Sequence, residues 1–320
     1  MSSAGTADAR GSTESPAAAP RCPACGARRS ERLFEARDPH YGIPGRWWIR
    51  ECGGCGSWFV ESPPTGDALL ALYPEGSYYS FQVRRRSRAR RLLGKLLALD
   101  GRPGDPAFPA PGRVLDFGCG AGEHLLEMRA RGWACAGVES SAAARAAGAE
   151  LGLDIRPEVL GPHGFEPEGF DYVRTNHALE HVLDPLAVLR DLYAACRPGG
   201  TLFVGVPTAS GMNARLFGPD WFYLTPPLHP VVFSTPAMLR LVAEAGFRDV
   251  RAWTRGDVGS TAGSLQVRLN RGTARLSTEG LVVGFKPLLA VGEWAGRLQG
   301  ALGRGDRLEL VARKPARAAG

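Results

Sequence analysis

The chain has 320 residues, 44 % of them hydrophobic, which is enough for a sizeable core and a prior of two domains. Its 42 glycines and 25 prolines follow no Gly-X-Y period, so collagen is excluded and a loop-rich globular chain is left. Lys and Arg exceed Asp and Glu by 39 to 32, and the whole excess of seven sits in one stretch, Arg84 to Lys95, that contains no acid.

Residues 1–20 are small and polar, with no apolar stretch behind a basic start, and predict a flexible leader on a cytoplasmic protein. The longest apolar run, Leu281 to Val291, is interrupted by Lys286 and Pro287 and falls short of the roughly 18 residues a membrane span needs.

Residues 21–62 carry two C-x-x-C pairs, Cys22 with Cys25 and Cys52 with Cys55, each followed by a glycine that allows a tight backbone turn. Two such turns deliver four thiolates to one tetrahedral ion, so a small zinc ribbon is predicted, with two disulfides as the alternative that a cytosolic compartment disfavours. A closed four-sulfur site leaves no position for water, so this zinc is structural. Cys119, Cys135 and Cys196 occur singly in apolar or glycine-rich surroundings and read as small buried hydrophobes.

Residues 63–110 form a helical and aromatic linker that includes the basic segment. A helix over Arg84–Lys95 sets Arg84, Arg88 and Arg91 on one side and the leucines from Leu92 on another, which suits an anionic partner or a solvated face between domains.

From residue 111 to 320, short apolar runs alternate with helical segments, which predicts a mostly parallel sheet with helices on both faces. Val114–Phe117 is a buried strand, Gly118–Gly122 a tight loop and Glu123–Arg131 a helix. A second strand, Trp133–Val138, ends at Glu139, 21 residues after Gly118, where an acid can accept both hydroxyls of a ribose. The glycines run G-x-G-x-G, and no Lys followed by Ser or Thr comes after them, so neither a dinucleotide fingerprint nor a nucleoside-triphosphate loop is present. Further on, the helix Ser234–Phe247 opens with Ser-Thr-Pro and closes at Gly246, the last two strands are Asp249–Arg255 and Arg307–Arg313, and Leu281–Leu302 is an amphipathic helical stretch between them.

Five ordered segments, VLDFGCGAG from Val114, Glu139, FDYVRTNHALEHVLDP from Phe170, RPGG with TLFVGVP from Arg197, and LHPVVFS from Leu228, together resemble the class I S-adenosylmethionine-dependent methyltransferases. The resemblance implies an α/β fold, a Rossmann-like seven-stranded methyltransferase sheet with helices on both faces, beside the small N-terminal zinc ribbon. It implies S-adenosylmethionine as cofactor, held by Asp116, Gly118, Cys119, Gly120, Gly122, Glu139 and Asn176. A four-cysteine ribbon before such a core is similar to enzymes that methylate sugars and other natural products. The acceptor expected is therefore a small-molecule hydroxyl, and Leu72–Phe81 looks like the aromatic stretch that approaches the active site in those enzymes. The alternatives are an RNA methyltransferase using the ribbon and the basic segment, and a catalytically inactive cofactor-binding partner subunit.

Methyl transfer to a hydroxyl needs a base, and His177, His181 and His229 are the candidates. His177 and His181 lie four apart, on one face if the segment is helical, and His229 sits in the aromatic insert Trp221–Pro230. His177-Ala-Leu-Glu180-His181 matches an inverted zinc-peptidase string, but it follows a buried strand and precedes the helix start Asp184-Pro185, which excludes that fold. Small-RNA 3′-terminal 2′-O-methyltransferases place a similar string and a later His around a divalent ion. By that resemblance His177, Glu180, His181 and His229 could hold a second metal.

Overall fold

The computed structural model describes residues 20–73, 106–256, 258–271, 276, 280–284 and 286–317. The basic segment Arg84–Lys95, and the aromatic stretch beyond Tyr73, lie outside the described residues.

Seven strands form the central sheet: β4 (Arg113–Phe117), β5 (Ala134–Val138), β6 (Asp154–Arg156), β7 (Phe170–Asn176), β8 (Cys196–Pro207), β10 (Arg248–Arg255) and β11 (Arg307–Arg313). Their order is β10-β11-β8-β7-β4-β5-β6; the pairs from β8 to β6 are parallel, and β11 runs antiparallel to both its neighbours.

Alternate residues of the central strands enter different cores, as the period of two requires. Leu115, Val173, Leu202 and Val204 pack with Leu189 and Leu192 of α4 (Pro185–Ala195) and with Met238 and Leu241 of α6 (Thr235–Glu244). Val114, Tyr172 and Phe203 face the other way, toward Leu125 and Met128 of α2 (Glu123–Arg129). Helices therefore cover both faces, and the central strands read as near-continuous apolar runs because neither face meets water.

The starts of three helices are written in the sequence. Ser141 caps α3 (Ala142–Glu150), Asp184 caps α4 and Ser234 caps α6, each side-chain oxygen accepting from the backbone N–H three residues on. Pro185 and Pro236 fall in the first turns of α4 and α6, where the missing N–H costs nothing.

The N-terminal segment is an antiparallel meander of β1 (Ser30–Ala36), β2 (Trp47–Cys52) and β3 (Trp58–Val60), followed by α1 (Asp67–Leu70). Its sheet has a fourth strand from far along the chain: β9 (Val231–Val232) pairs antiparallel with β3, Trp58 opposite Val232 and Phe59 opposite Val231. Trp58 stands edge-to-face on Trp221 at 6.2 Å, while Cys22, Cys52 and Phe59 join the same core as Leu115 and Val204. The ribbon and the α/β sheet thus share apolar burial, and a strand from the chain between β8 and α6 completes the ribbon's sheet.

One expectation is corrected here. The segment after β7 is not an α-helix: His177 takes a left-handed φ of 53°, and a single 3-10 turn, Leu179–His181, follows before Asp184 starts α4. The stretch Leu281–Leu302 forms α8 (Leu281–Gly284) and α9 (Lys286–Ala301), which pack on α7 (Val258–Leu269) while Trp294, Leu298 and Leu302 stay 71 %, 62 % and 61 % exposed. No helix among the described residues is long and apolar enough to cross a membrane.

Candidate functional site

The carboxyl ends of β4, β5 and β7 open on one side of the sheet, where ligands of open α/β sheets bind. The loop after β4 holds Gly118, Gly120 and Gly122 at φ of 72°, 56° and 87°, a region that side-chain-bearing residues rarely adopt. A Cβ on Gly118 would collide with that of Ala178, and one on Gly122 with the Leu153 side chain. The glycines are required by backbone sign and by close packing alike.

Glu139 follows β5 and is buried. Its Oε2 accepts from Gly120 N at 3.0 Å and its Oε1 from Ser141 N at 2.9 Å, so the acid is tied to the glycine loop it was expected to work with. Asn176 ends β7 opposite Gly205, whose missing Cβ leaves room for the Asn176 side-chain oxygen. Asp116 is turned into the sheet: both its oxygens accept from Arg174 Nη1, at 2.8 and 2.7 Å, in a buried ion pair across β4 and β7. Arg174 is a residue that sequence reasoning passed over, although an Arg inside the apolar run FDYVRTN signals a buried partner. Burial raises the Cys119 thiol well above its usual range and pushes Cys196 up to about 12, as inert thiols require.

Beside the loop lies a histidine cluster. His177 stacks on Tyr223 at 5.8 Å, and its Nδ1 lies 3.2 Å from Oε1 of the fully buried Glu180. The carboxylate can only accept here, so Nδ1 donates and Nε2 carries the lone pair. His181 Nδ1 donates to Leu228 O at 2.8 Å and stands 2.8 Å from the Tyr73 hydroxyl; His229 Nδ1 donates to Tyr223 O at 2.9 Å. The His181 and His229 rings meet edge-to-face at 4.5 Å. One nitrogen of each ring and one Glu180 oxygen lie within 4.8 Å of one another. His177 stands outside that trio, its ring held by Tyr223 and by Glu180.

Burial lowers the affinity of His181 for a proton, and pushes His229 down to about 3 with the charge of His181 opposing it as well. His229 is therefore neutral at physiological pH. Burial would raise the Glu180 carboxyl, but the hydrogen bond from His177 and the nearby imidazoles outweigh it and hold it at about 2. Tyr73, the last described residue before the basic segment, is near enough to feel the charges of Glu180 and Glu139, and with burial they raise its phenol. It stands against the histidine cluster, and it belongs to the Leu72–Phe81 stretch that, by resemblance, was expected to approach the active site.

At the ribbon the four cysteine sulfurs are within 4.8 Å of one another, with Cys22 3.8 Å from Cys55 and Cys25 3.4 Å from Cys52. All four thiols are free. Gly26 N donates to Cys22 O and Gly56 N to Cys52 O, both at 2.8 Å, with the glycines at φ of 72° and 74°. Four sulfurs at about 2.3 Å from one ion stand close to 3.8 Å apart, so the set has the size of a tetrathiolate site.

The glycine loop, Glu139 and the strands from β4 to β8 lie inside the stretch that a family model matches. A model described as a methyltransferase domain covers residues 81–252, more than half the chain. The chain belongs to this methyltransferase family. Its likeness is to class I S-adenosylmethionine-dependent members. The methyltransferase is 35 % identical over 162 residues to a ubiquinone biosynthesis O-methyltransferase of Caulobacter vibrioides, covering 46 % of this chain and 64 % of that protein. It is 31 % identical over 140 residues to the protein of that name from Parvibaculum lavamentivorans, covering 41 % and 54 %. A tRNA U34 carboxymethyltransferase of Methylococcus capsulatus is 27 % identical over 217 residues, covering 63 % and 62 %. The matches thus span about half to two-thirds of these relatives. Among solved structures, a SAM-dependent methyltransferase of Thermotoga maritima, a possible histamine N-methyltransferase, aligns with a TM-score of 0.44 at 18 % identity over 69 % of this chain and 88 % of its own.

Proposed function

We propose that this protein transfers a methyl group from S-adenosylmethionine to a hydroxyl of a small molecule, a sugar or other secondary-metabolite scaffold, with His177 as general base. The observation that carries the reading is the juxtaposition of two parts: the glycine loop rests directly on Ala178, the neighbour of a histidine whose Nδ1 is held by a buried carboxylate. Relatives named for O-methylation support oxygen as the nucleophile.

The residues present fit the cofactor. Gly118, Cys119, Gly120 and Gly122 offer a loop whose missing side chains admit close approach, Glu139 stands at the strand end suited to a ribose, and Asn176 borders the methyl side. Asp116 serves as a positioning residue, anchoring the strand beneath the loop through Arg174. When bound there, S-adenosylmethionine would supply an electrophilic methyl group on a sulfonium, with a neutral thioether as its leaving group. His177 Nε2 takes the proton that the hydroxyl loses, and Glu180 holds the ring in the tautomer that can do so and faces the cation that forms. His181 and His229, both buried by the insert, wall the acceptor side together with Tyr223. The four cysteines hold a structural zinc, whose tetrathiolate charge is met by Arg240 beside Cys25.

His177→Ala is expected to lower kcat by about two to four orders of magnitude, with cofactor affinity by calorimetry within about twofold of the parent. A fall in kcat of less than tenfold removes His177 from the role of base. A second reading, modification of RNA, is favoured by the similarity to a tRNA carboxymethyltransferase and by the seven cations of Arg84–Lys95.

A further inference from the structure

Helix α9 meets its own fold with its smallest residues. Gly292 and Gly296 are buried and Gly300 is half-buried, with Gly296 against Gly256 and Gly300 close to Thr254 and Arg255 at the end of β10. Val291, Trp294 and Leu298 lie on the other side of the helix, with Leu302 just past its end, and all four are more than half exposed. A helix on the surface of a lone globular chain turns its large apolar residues to the core, and α9 turns them to water.

This face continues over a layer of helices. α9 packs beside α7, and α7 beside α5 (Met212–Phe217), where Arg268 Nη2 donates to Leu216 O at 3.2 Å. Leu265 and Leu269 of α7, Leu216 of α5 and Leu281 of α8 are exposed as well. Eight of the ten large apolar residues exposed among the described residues therefore stand on this one layer, so the exposure is local and not a general property of the surface. At about 100 Å² each, and nearly twice that for Trp294, they offer on the order of 800 Å² of apolar surface. The largest apolar patch of an ordinary monomer is about 300 to 600 Å², and one side of a standard protein interface is about 800 Å².

We propose that a second copy of the chain docks on this face, α9 against α9 across a two-fold axis. The area matches what a stable dimer needs. Spacing points the same way: Val291, Trp294, Leu298 and Leu302 follow one another by 3, 4 and 4 residues, the seam by which one helix packs along another. A closed pair of identical faces is the commonest way for such a seam to be covered. Charge agrees, because cations beside the stripe are held by acids of their own chain: Arg297 by Glu293 at 3.2 Å, and Arg268 and Arg271 by Asp220 at 3.2 and 3.9 Å. Like faces can then meet without strong repulsion, whereas an anionic membrane surface would call for cations free to reach lipid phosphates. The inner side of α7 carries the aromatic insert, with Phe222 N donating to Ser264 Oγ at 2.9 Å and Trp221 Nε1 to Ser260 Oγ at 3.4 Å. A second chain thus braces the layer on which Tyr223 and the acceptor wall rest.

Sedimentation equilibrium of the full-length, zinc-replete protein tests this. At about 50 μM, above the micromolar weak end of affinities for an interface of this size, the parent should sediment with the mass of two chains. Trp294→Glu combined with Leu298→Glu should raise the dissociation constant by about a hundredfold or more, leaving the mass of one chain with circular dichroism and zinc content unchanged. Val291→Lys is the second variant, with the same direction expected. Trp48→Glu, at an exposed apolar position on the ribbon, should keep the mass of two chains. The thermal midpoint should rise with protein concentration in the parent and not in the double variant. The proposal is overturned if the parent sediments as one chain at that concentration, whether or not it then floats with phosphatidylglycerol vesicles. It is equally overturned if both α9 variants pair as the parent does, or if Trp48→Glu dissociates the pair as fully as they do.

Discussion

Gly118 shows how much of the cofactor site rests on single residues. Its φ of 72° puts an L side chain in the left-handed region, at a cost of about 1 to 2 kcal/mol, and the added Cβ would drive into Ala178. Gly118→Ala should therefore displace either the loop or the His177–His181 turn, weakening S-adenosylmethionine binding by at least tenfold in a calorimetric titration. Unchanged affinity would separate the loop from the cofactor. At this scale the sequence was informative about types and less so about partners. The glycines and Glu139 could be read from spacing, because backbone sign and strand length fix where they fall. The Asp116–Arg174 pair could not, because it joins residues 58 positions apart with no local pattern, and although the Leu72–Phe81 stretch was picked out, its Tyr73 could not be matched to His181, 108 positions on. The histidines were picked out in advance, yet the reason they meet was different from the one expected. A left-handed His177 and a 3-10 turn bring them together, with Glu180 at the centre.

At the scale of elements, the strands and caps of the α/β sheet were legible because each obeys a local rule: buried runs for parallel strands, Ser or Asp before a helix, Pro in its first turn. Strand β9 was not, since two residues give no period and its pairing partner lies over 170 positions earlier. A second junction of elements, where β11 begins, holds Asp306. Its fully buried carboxylate accepts from Asn213 N at 3.1 Å, Asn213 Nδ2 at 2.7 Å and the Ser260 hydroxyl, linking β11 to α5 (Met212–Phe217) and α7. Burial outweighs these donors and raises its pKa from 3.8 to about 6. Between those values the folded chain binds a proton that the unfolded chain has released, so this group's contribution falls as pH rises through the window. The change is about 3 kcal/mol at most. Denaturant titrations from pH 4 to 7 should show that slope in the parent and a flatter one in Asp306→Asn; equal slopes would remove Asp306 as the cause.

For the molecule as a whole, the ribbon is a wall of the same body as the sheet. Ser234 Oγ donates to Cys55 O at 2.5 Å and Ser234 N to Ser57 Oγ at 3.0 Å, so the start of α6 and strand β9, two residues after His229, are held by the cysteine loop. Loss of metal should therefore be felt in the cleft. Cys22→Ser is expected to lower bound zinc by about one equivalent and to reduce turnover together with thermal stability. Full zinc content by mass spectrometry would contradict the ribbon assignment. Composition could divide the chain into ribbon, linker and sheet, but it could not show that the ribbon is completed by a strand that follows the insert. That fact follows from tertiary pairing between Trp58–Phe59 and Val231–Val232.

The most direct measurement of the central claim is transfer of a labelled methyl group from S-adenosylmethionine in lysate from the protein's own source. Label is then separated into RNA, macromolecular glycan and small-molecule fractions, with the parent and with His177→Ala. The account predicts label in the small-molecule fraction, bound through oxygen, and its near disappearance with the variant. Label confined to nuclease-sensitive RNA would contradict it and would assign the Arg84–Lys95 segment to phosphate binding.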